Sequence, residues 1–127
     1  MIYACTNCGR EKSTLTGSIS AKERYISERV KKVIALSNQK RLPLLFISGK
    51  YGLISADTKI PYYNLRLEES SVSTLVKLAI KQAKDLKISK LIFYAKPKDD
   101  KLKLYYDVIE KVCSNLGIKV DFVTLIE

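Results

Sequence analysis

The chain has 127 residues, of which 46% are hydrophobic and 28% are charged, and its formal net charge is +10. This length suits a single domain over residues 1–127, and the composition excludes a disordered chain. Histidine is absent, which excludes Ser-His-Asp catalysis and metal ligation by histidine. No apolar run approaches the roughly 20 residues of a membrane span, and the N-terminus lacks the features of a signal peptide. We therefore expect a cytoplasmic protein with no membrane partner.

The positive charge arises because 23 lysine and arginine residues outnumber 13 aspartate and glutamate residues. Such an excess favours a polyanionic partner, and we expect nucleic acid or a nucleotide. The alternative is a lysine-rich, solvated surface of the kind found in many thermophile proteins. The three cysteines are odd in number and do not make a disulfide framework, which indicates a reducing compartment.

The first half of the chain predicts a strand, a helix and a second strand. A short strand over residues 2–4 ends before Gly9. Ser20 begins a helix, because Ser20 and Glu23 have the spacing of a capping box. Residues 42–47 form a continuous apolar run, which is typical of a strand covered on both faces. The helix that begins at Ser20 has an apolar face, which consists of Ile26, Val30, Val33, Ile34 and Ser37. Its cations lie largely off that face, and they are Lys22, Arg29, Lys31 and Lys32.

The second half predicts a long loop and then two helix–strand units. Residues 53–69 show no regular pattern, and loops of this length are often functional. Asp99 and Asp100 suit the positive end of a helix dipole, and Gly117 suits a helix C-cap. The regular elements are a helix, a strand, a helix and a strand, over residues 71–86, 91–95, 99–116 and 120–126.

Strands and helices thus alternate in the order βαβαβαβ. Helical connections between buried strands predict a three-layer α/β/α fold, with a mainly parallel sheet of about four strands and helices on both faces. Sites in such folds gather at the carboxyl ends of the strands. The loops after Ala4, Ile47 and Ala95 are therefore the expected site, and the first two should meet at one end of the sheet.

Cys5 and Cys8 form a single CxxC pair at the end of the first predicted strand. Such a pair can supply half of a zinc site, act as a redox couple or lie incidentally in a loop. With no histidine, the remaining ligands are too few for zinc, since Cys113 falls on the apolar face of its predicted helix. We predict no structural metal and no cofactor.

A glycine, two cations and two hydroxyl groups follow the first predicted strand in residues 8–14. Backbone amides and cations at such a position can hold a phosphate, with Cys8 and Lys12 as candidate ligand-binding residues. The segment lacks both the GxxxxGK[ST] and the GxGxxG spacing. The alternative is a plain solvated loop.

The segment after the second predicted strand, residues 48–54 (SGKYGLI), has two glycines three positions apart with a lysine and a tyrosine between them. Such glycines permit a tight turn and close approach of the backbone. Tyrosine rings stack on bases and cations contact phosphate, whereas the structural alternative is a turn with its tyrosines packed on the sheet. The candidate ligand-binding or catalytic residues of this region are Lys50, Tyr51, Gly52, Asp57, Tyr62 and Tyr63.

These residues also carry a resemblance to known proteins. Residues 48–54, then Asp57 and the Ile60-Pro61-Tyr62 segment, resemble the signature of YaaA-type peroxide-stress proteins and of small related families of unknown function. The Cys8 to Lys12 segment and Tyr25 are similar to positions in those small families, and a similar Tyr-Gly segment occurs in a domain of archaeal tRNA-guanine modification enzymes. The resemblance covers residues 1–67.

The resemblance implies an α/β domain related to the uracil-DNA glycosylase fold, with a setting in DNA protection or nucleobase modification. The chain departs from the pattern because one residue between Ile60 and Pro61 is missing, so that either Tyr62 or Tyr63 matches the family tyrosine. Asn64 stands where many small relatives have aspartate, and the histidine motif of the glycosylases is absent. The resemblance therefore carries over the location of the site and not an activity.

Three classes of function remain open. The first is a nucleic-acid-associated protein that binds DNA or RNA through a basic face and the Tyr51 loop. The second is a small enzyme acting on a nucleobase, a nucleotide or an N-glycosidic bond, with Asp57 as general base or carbocation stabiliser, Lys50 on phosphate, and Tyr51 or Tyr62 stacking. The third is a non-catalytic accessory protein with a protein partner.

Overall fold

The computed structural model describes residues 1–125. It is a mixed α/β fold with a five-stranded, mostly parallel sheet and, within those residues, four helices. The first elements in chain order are β1 (Ile2–Asn7), β2 (Ile19–Ser20), α1 (Ala21–Arg24), α2 (Glu28–Lys40), β3 (Leu44–Ser48), β4 (Gly52–Ser55) and β5 (Lys59–Ile60). A 3-10 turn (Glu69–Ser71), α3 (Val72–Asp85), β6 (Lys90–Ala95), α4 (Leu102–Leu116) and β7 (Lys119–Thr124) follow.

The sheet has the strand order β4-β3-β1-β6-β7. β1 pairs in parallel with β3 and with β6, and β6 pairs in parallel with β7. β4 is antiparallel to β3, and β2 and β5 form a separate antiparallel pair. The carboxyl ends of β1, β3, β6 and β7 therefore lie along one edge of the sheet.

The apolar core has two parts because the side chains of a strand alternate between its faces. Tyr3 and Cys5 of β1 belong to the cluster that includes α3 and α4. Ala4 belongs to the other cluster, with Val30 and Val33 of α2. The helices thus cover both faces of β1, which is the central strand.

The chain order differs from the predicted βαβαβαβ order because the segment predicted to be irregular, residues 53–69, contains strand structure. Gly52 has a φ of +74°, and this left-handed conformation lets the chain reverse after β3. The following apolar residues then pair back on β3, with Ile54 opposite Phe46. β4 is therefore an antiparallel edge strand of the main sheet.

The single helix predicted from Ser20 is also different, since the chain forms two helices. Tyr25 leaves the helical conformation and forms an isolated antiparallel bridge with Lys12. Ser27 then caps a new helix, and its side chain accepts the Val30 amide at 3.3 Å. The predicted capping interaction at Ser20 does not form with the backbone.

The predicted C-terminal end of α4 agrees with the structure, whereas the helix begins at Leu102 and not at residue 99. Asp99 Oδ1 accepts the amides of Lys101 and Leu102, at 3.0 and 2.7 Å, in front of the helix. Gly117 is its C-cap, with a φ of +66°. The end of the last predicted strand, at residue 126, lies outside the described residues. None of the described helices is both long and apolar enough to span a membrane.

Candidate functional site

The loops that follow β1 and β3 leave the sheet at the same edge. The Cys8 amide extends the pairing of the two strands by donating to the Ile47 carbonyl at 3.1 Å. Lys12 in the first loop and Lys50 in the second loop then reach the same aromatic ring, that of Tyr63. The prediction that these two loops meet at one end of the sheet is confirmed.

Two ammonium groups lie close to the Tyr63 ring. Lys12 Nζ is 4.9 Å and Lys50 Nζ is 5.7 Å from the ring centroid. Lys50 Nζ is also 5.3 Å from the centroid of Tyr51, which meets Tyr63 edge-on at 5.2 Å. The rings attract the ammonium groups, but within residues 1–125 neither lysine forms an ion pair with a carboxylate. We call Lys12, Lys50, Tyr51 and Tyr63 the Tyr63 cluster, and its two positive charges are available to an anion.

A buried chain of hydroxyl groups holds Tyr63 in position. Ser48 Oγ accepts the amides of Lys50 and Tyr51, each at 3.1 Å. Since both lone pairs of Ser48 Oγ are then used, its own hydrogen donates to Tyr63 Oη at 2.9 Å. A hydrogen bond of 2.5 Å joins Tyr63 Oη to Tyr25 Oη. Burial raises the pKa of both phenols, so they are neutral groups at ordinary pH.

The turn between β3 and β4 is held by a side chain of α3. Gln82 Oε1 accepts the Leu53 amide at 2.7 Å, and Gln82 Nε2 donates to the Tyr51 carbonyl at 2.8 Å. A Cβ added at Gly52 would collide with Gln82 Oε1. Gly52, a predicted ligand-binding residue, therefore has a structural role in the turn that presents Tyr51.

A cavity of about 850 Å³ opens at the carboxyl edge of the sheet. Lys12 belongs both to its lining and to the Tyr63 cluster, so the two features adjoin. Its lining includes polar groups from β1, the loop that follows and α2, namely Asn7, Cys8 and Arg29. Its apolar lining residues are Leu65, Leu67, Leu102, Leu104 and Tyr105. The cavity thus offers polar and apolar contacts to one small ligand.

Arg29 contributes a cation to this cavity. Its Nη1 donates to Thr6 Oγ1 at 2.6 Å, and in the described part of the chain it has no other hydrogen bond. Burial lowers the pKa of the guanidinium, because removal from water disfavours the charged form. The sequence places Arg29 largely off the apolar face of its helix, and in the structure its side chain is half-buried beside β1.

Two further polar groups line the cavity beside Arg29. Cys8 Sγ and Tyr105 Oη lie 3.4 Å apart, and burial raises the pKa of the Tyr105 phenol. Asn7 is 4% exposed, and its Nδ2 donates to the Cys8 carbonyl at 2.9 Å. Asn7 Oδ1 is a buried acceptor to which no residue in the range 1–125 donates a hydrogen bond.

The structure does not bring Asp57 to the Tyr63 cluster. Asp57 follows β4, whose antiparallel direction returns the chain to the start of β3, where the Ala56 amide donates to the Leu44 carbonyl at 2.9 Å. There Asp57 forms an exposed ion pair with Lys22 at 2.9 Å. Tyr62 is 51% exposed, and no ring contact joins it to the cluster within residues 1–125.

The three cysteines are free and buried. Burial raises the pKa of the Cys113 thiol to about 11, and it raises that of Cys5 further, so both are neutral thiols. Within the described ranges, no three cysteine or carboxylate side chains come together as metal ligands.

Sequence reasoning missed Arg29, Tyr105 and Gln82 as site residues. The sequence indicates the position of Arg29 only if a second helix begins after Tyr25. Ser27 followed by Glu28 is an N-cap signal for such a helix, and it places Arg29 in the first turn. Neither Tyr105 nor Gln82 belongs to a sequence motif. Their roles depend on contacts with Cys8 and Tyr51, which are distant in the chain.

The fold and the site define a mixed α/β protein with a cationic, aromatic cluster and a cavity at the carboxyl ends of parallel strands. No protein-family model matches the chain, and no curated protein or solved structure gives a significant match. The function of the protein is therefore inferred from the geometry of this site.

Proposed function

We propose that this protein binds nucleic acid or a nucleotide through the Tyr63 cluster. The observation that carries the proposal is the approach of Lys12 and Lys50 to one tyrosine ring, without a carboxylate partner for either within residues 1–125. Phosphate compensates such charges, and tyrosine rings beside cations stack on bases. Tyr51 is half-buried, so part of its ring is accessible to a base.

The overall charge supports a polyanionic partner. A net charge of +10 attracts phosphates over a wider surface than the cluster, which suits binding of DNA or RNA on a basic face. The resemblance to YaaA-type proteins supports the same location, since residues 48–54 carry it and include Tyr51. A three-layer α/β/α architecture is part of this proposal.

A small enzyme acting on a nucleobase, a nucleotide or an N-glycosidic bond is the second candidate. The cavity of about 850 Å³ favours it, because ligand sites of small molecules have this size. Asp57 lies at the other end of the sheet, so an acid or base at this cavity would come from its own lining, where Cys8 and Tyr105 are in contact.

Fluorescence anisotropy with a short single-stranded oligonucleotide at two salt concentrations tests the proposal. We expect wild-type binding to weaken steeply with salt, because bound phosphates release counterions. Lys50→Ala should weaken binding and reduce the salt slope by about one, since one phosphate contact is lost. Tyr51→Ala should cost about 1–3 kcal/mol of binding free energy, since a base loses its stacking partner.

Lys77→Ala is the matched control, since Lys77 is an exposed lysine on α3 outside the cluster. It should leave the affinity nearly unchanged. A Tyr51→Ala variant with a lower melting temperature and intact binding would identify Tyr51 as a packing group of the turn. No binding by the folded wild type at low salt would overturn the proposal and favour an accessory protein with a protein partner.

A further inference from the structure

The Arg29 guanidinium lies at the cavity with most of its donors unused. A guanidinium has five N–H groups in a planar fork that fits the oxygens of a phosphate. Within residues 1–125 its single acceptor is Thr6 Oγ1, and no carboxylate pairs with it. Gly9 leaves the fork uncovered, because a Cβ at this position would lie 3.4 Å from Arg29 Nη2 and from Ser27 Oγ. The cavity therefore presents an open fork to an anion.

A second, independent observation indicates a ligand at the same place. Asn7 lines the cavity and is 4% exposed, yet its Oδ1 has no hydrogen-bond partner among the described residues. A buried amide oxygen without a partner costs about 1–3 kcal/mol. An amino or hydroxyl group of a ligand supplies the missing donor.

The remaining lining selects among anions. A bare phosphate would leave the leucines of the wall and Tyr105 in contact with water, whereas a planar base covers them. Charged side chains complete the lining, and its cations outnumber its carboxylates. The carboxylates are Glu11, Glu28, Asp99 and Asp100, and the cations are Arg10, Lys12, Arg29, Arg66, Lys96 and Lys101. The lining therefore suits a ligand that combines a phosphate group with an apolar ring.

We infer that the cavity binds a nucleoside monophosphate, either free or as the phosphorylated terminal unit of a strand. The phosphate contacts Arg29 and Lys12, the base packs against Tyr105 and the leucines, and Asn7 Oδ1 accepts a hydrogen bond from the ligand. The inference rests on the proposed function and deepens it, because it names the ligand class of the cavity that adjoins the Tyr63 cluster.

Calorimetric titration of the full chain with the common nucleoside 5′-monophosphates, the matching nucleosides and inorganic phosphate tests the inference. We expect at least one monophosphate to bind more tightly than its nucleoside and than phosphate. Arg29→Gln should weaken that binding by about tenfold or more, since a charge-assisted hydrogen bond is lost. Lys32→Gln, at an exposed lysine on the same helix, is the matched control and should bind as wild type.

Gly9→Val is a second variant that leaves every charge in place. Its side chain covers the Arg29 fork, so monophosphate binding should weaken while the melting temperature stays near the wild-type value. Oligonucleotides with and without a terminal phosphate separate the two sources of the ligand. If Arg29→Gln weakens the binding of the phosphorylated strand only, the cavity binds strand ends. If Arg29→Gln weakens the binding of the free monophosphate, the cavity binds the small molecule.

The inference would be overturned if the folded Arg29→Gln and Gly9→Val variants bound the monophosphate with wild-type affinity. It would also be overturned if inorganic phosphate bound to the wild type as tightly as every monophosphate does. Absence of monophosphate binding by wild type at millimolar concentration would also overturn it. In these cases the proposed function survives if oligonucleotide binding still depends on Lys50. If Lys50 has no effect and monophosphate binding depends on Arg29, the inference survives without the proposed function.

Discussion

Arg24 and Arg29 are five residues apart, but the structure uses them differently. Arg24 is fully buried, and its Nη1 and Nη2 donate four hydrogen bonds. The acceptors are backbone carbonyls of the loop before α1 and of β5, at Ser13, Leu15, Gly17 and Ile60, with distances of 2.7 to 3.1 Å. Arg29 is half-buried and, in the described part of the chain, donates one hydrogen bond, to Thr6. Within the described residues the two side chains therefore differ in how many of their Nη donors are used, whereas Arg24 Nε is buried without a partner.

The break between the two helices produces this difference. Tyr25 leaves the helix because its side chain packs edge-on against Phe46, at 5.0 Å between centroids, and its hydroxyl bonds to Tyr63. Arg24 therefore ends α1 beneath a loop, whereas Arg29 lies in the first turn of α2 beside β1. A continuous helix would not place the two guanidinium groups in these two environments.

The largest expected effect is on stability at Arg24. Arg24→Ala should lower the free energy of unfolding by about 4 kcal/mol, since several buried carbonyls lose their donor. Arg24→Lys should recover only part of this, because an ammonium group cannot reproduce the fork. Urea denaturation followed by circular dichroism measures both. Arg29→Gln serves as the comparison and should change the unfolding free energy by less than about 1 kcal/mol. Equal losses of unfolding free energy in Arg24→Ala and Arg29→Gln would contradict the different structural roles of the two arginines.

An intermediate effect on stability is expected at Gln82, whose side chain forms hydrogen bonds with the backbone of the Tyr51 turn, as Arg24 does with its loop. Gln82→Ala should destabilise the protein by about 2 kcal/mol, since the Leu53 amide and the Tyr51 carbonyl lose a partner. It should also weaken oligonucleotide binding without changing the salt slope, because no charge is removed. Lys81→Ala, at the exposed neighbouring residue, is the control. If a folded Gln82→Ala variant bound the oligonucleotide with unchanged affinity, the conformation of the Tyr51 turn would not matter for binding.

The smallest effect is expected at Asp57, at the opposite end of the sheet from the Tyr63 cluster. The carboxylate raises the pKa of Lys22 by hydrogen bonding and by its charge, but both side chains are exposed and screened by water. Asp57→Asn should therefore leave the melting temperature and the oligonucleotide affinity unchanged. If this variant lost oligonucleotide binding or a nucleotide-directed activity, Asp57 would be a functional residue after all.

Much of the fold was predictable, and the candidate site was predictable in part. The parallel strands were predicted because residues 42–47 and 91–95 are continuously apolar, and that pattern depends on the two-sided burial of each strand. The meeting of the Lys12 and Lys50 loops followed from parallel pairing alone. The break at Tyr25 was not predictable, because the Tyr63 hydroxyl that holds Tyr25 is 38 residues away in the chain.

The sequence by itself determined that residues 42–47 and 91–95 are strands covered on both faces and which end of the sheet carries the loops, because periodicity and parallel pairing depend on local backbone geometry. It also determined the positive charge and the position of Tyr51 between two glycines. Only the tertiary structure decided that Lys12 and Lys50 converge on Tyr63, that Asp57 lies at the other end of the sheet, and that Arg29 donates a single hydrogen bond among residues 1–125. Each of these outcomes depends on partners from distant parts of the chain, and local pattern contains no information about such partners.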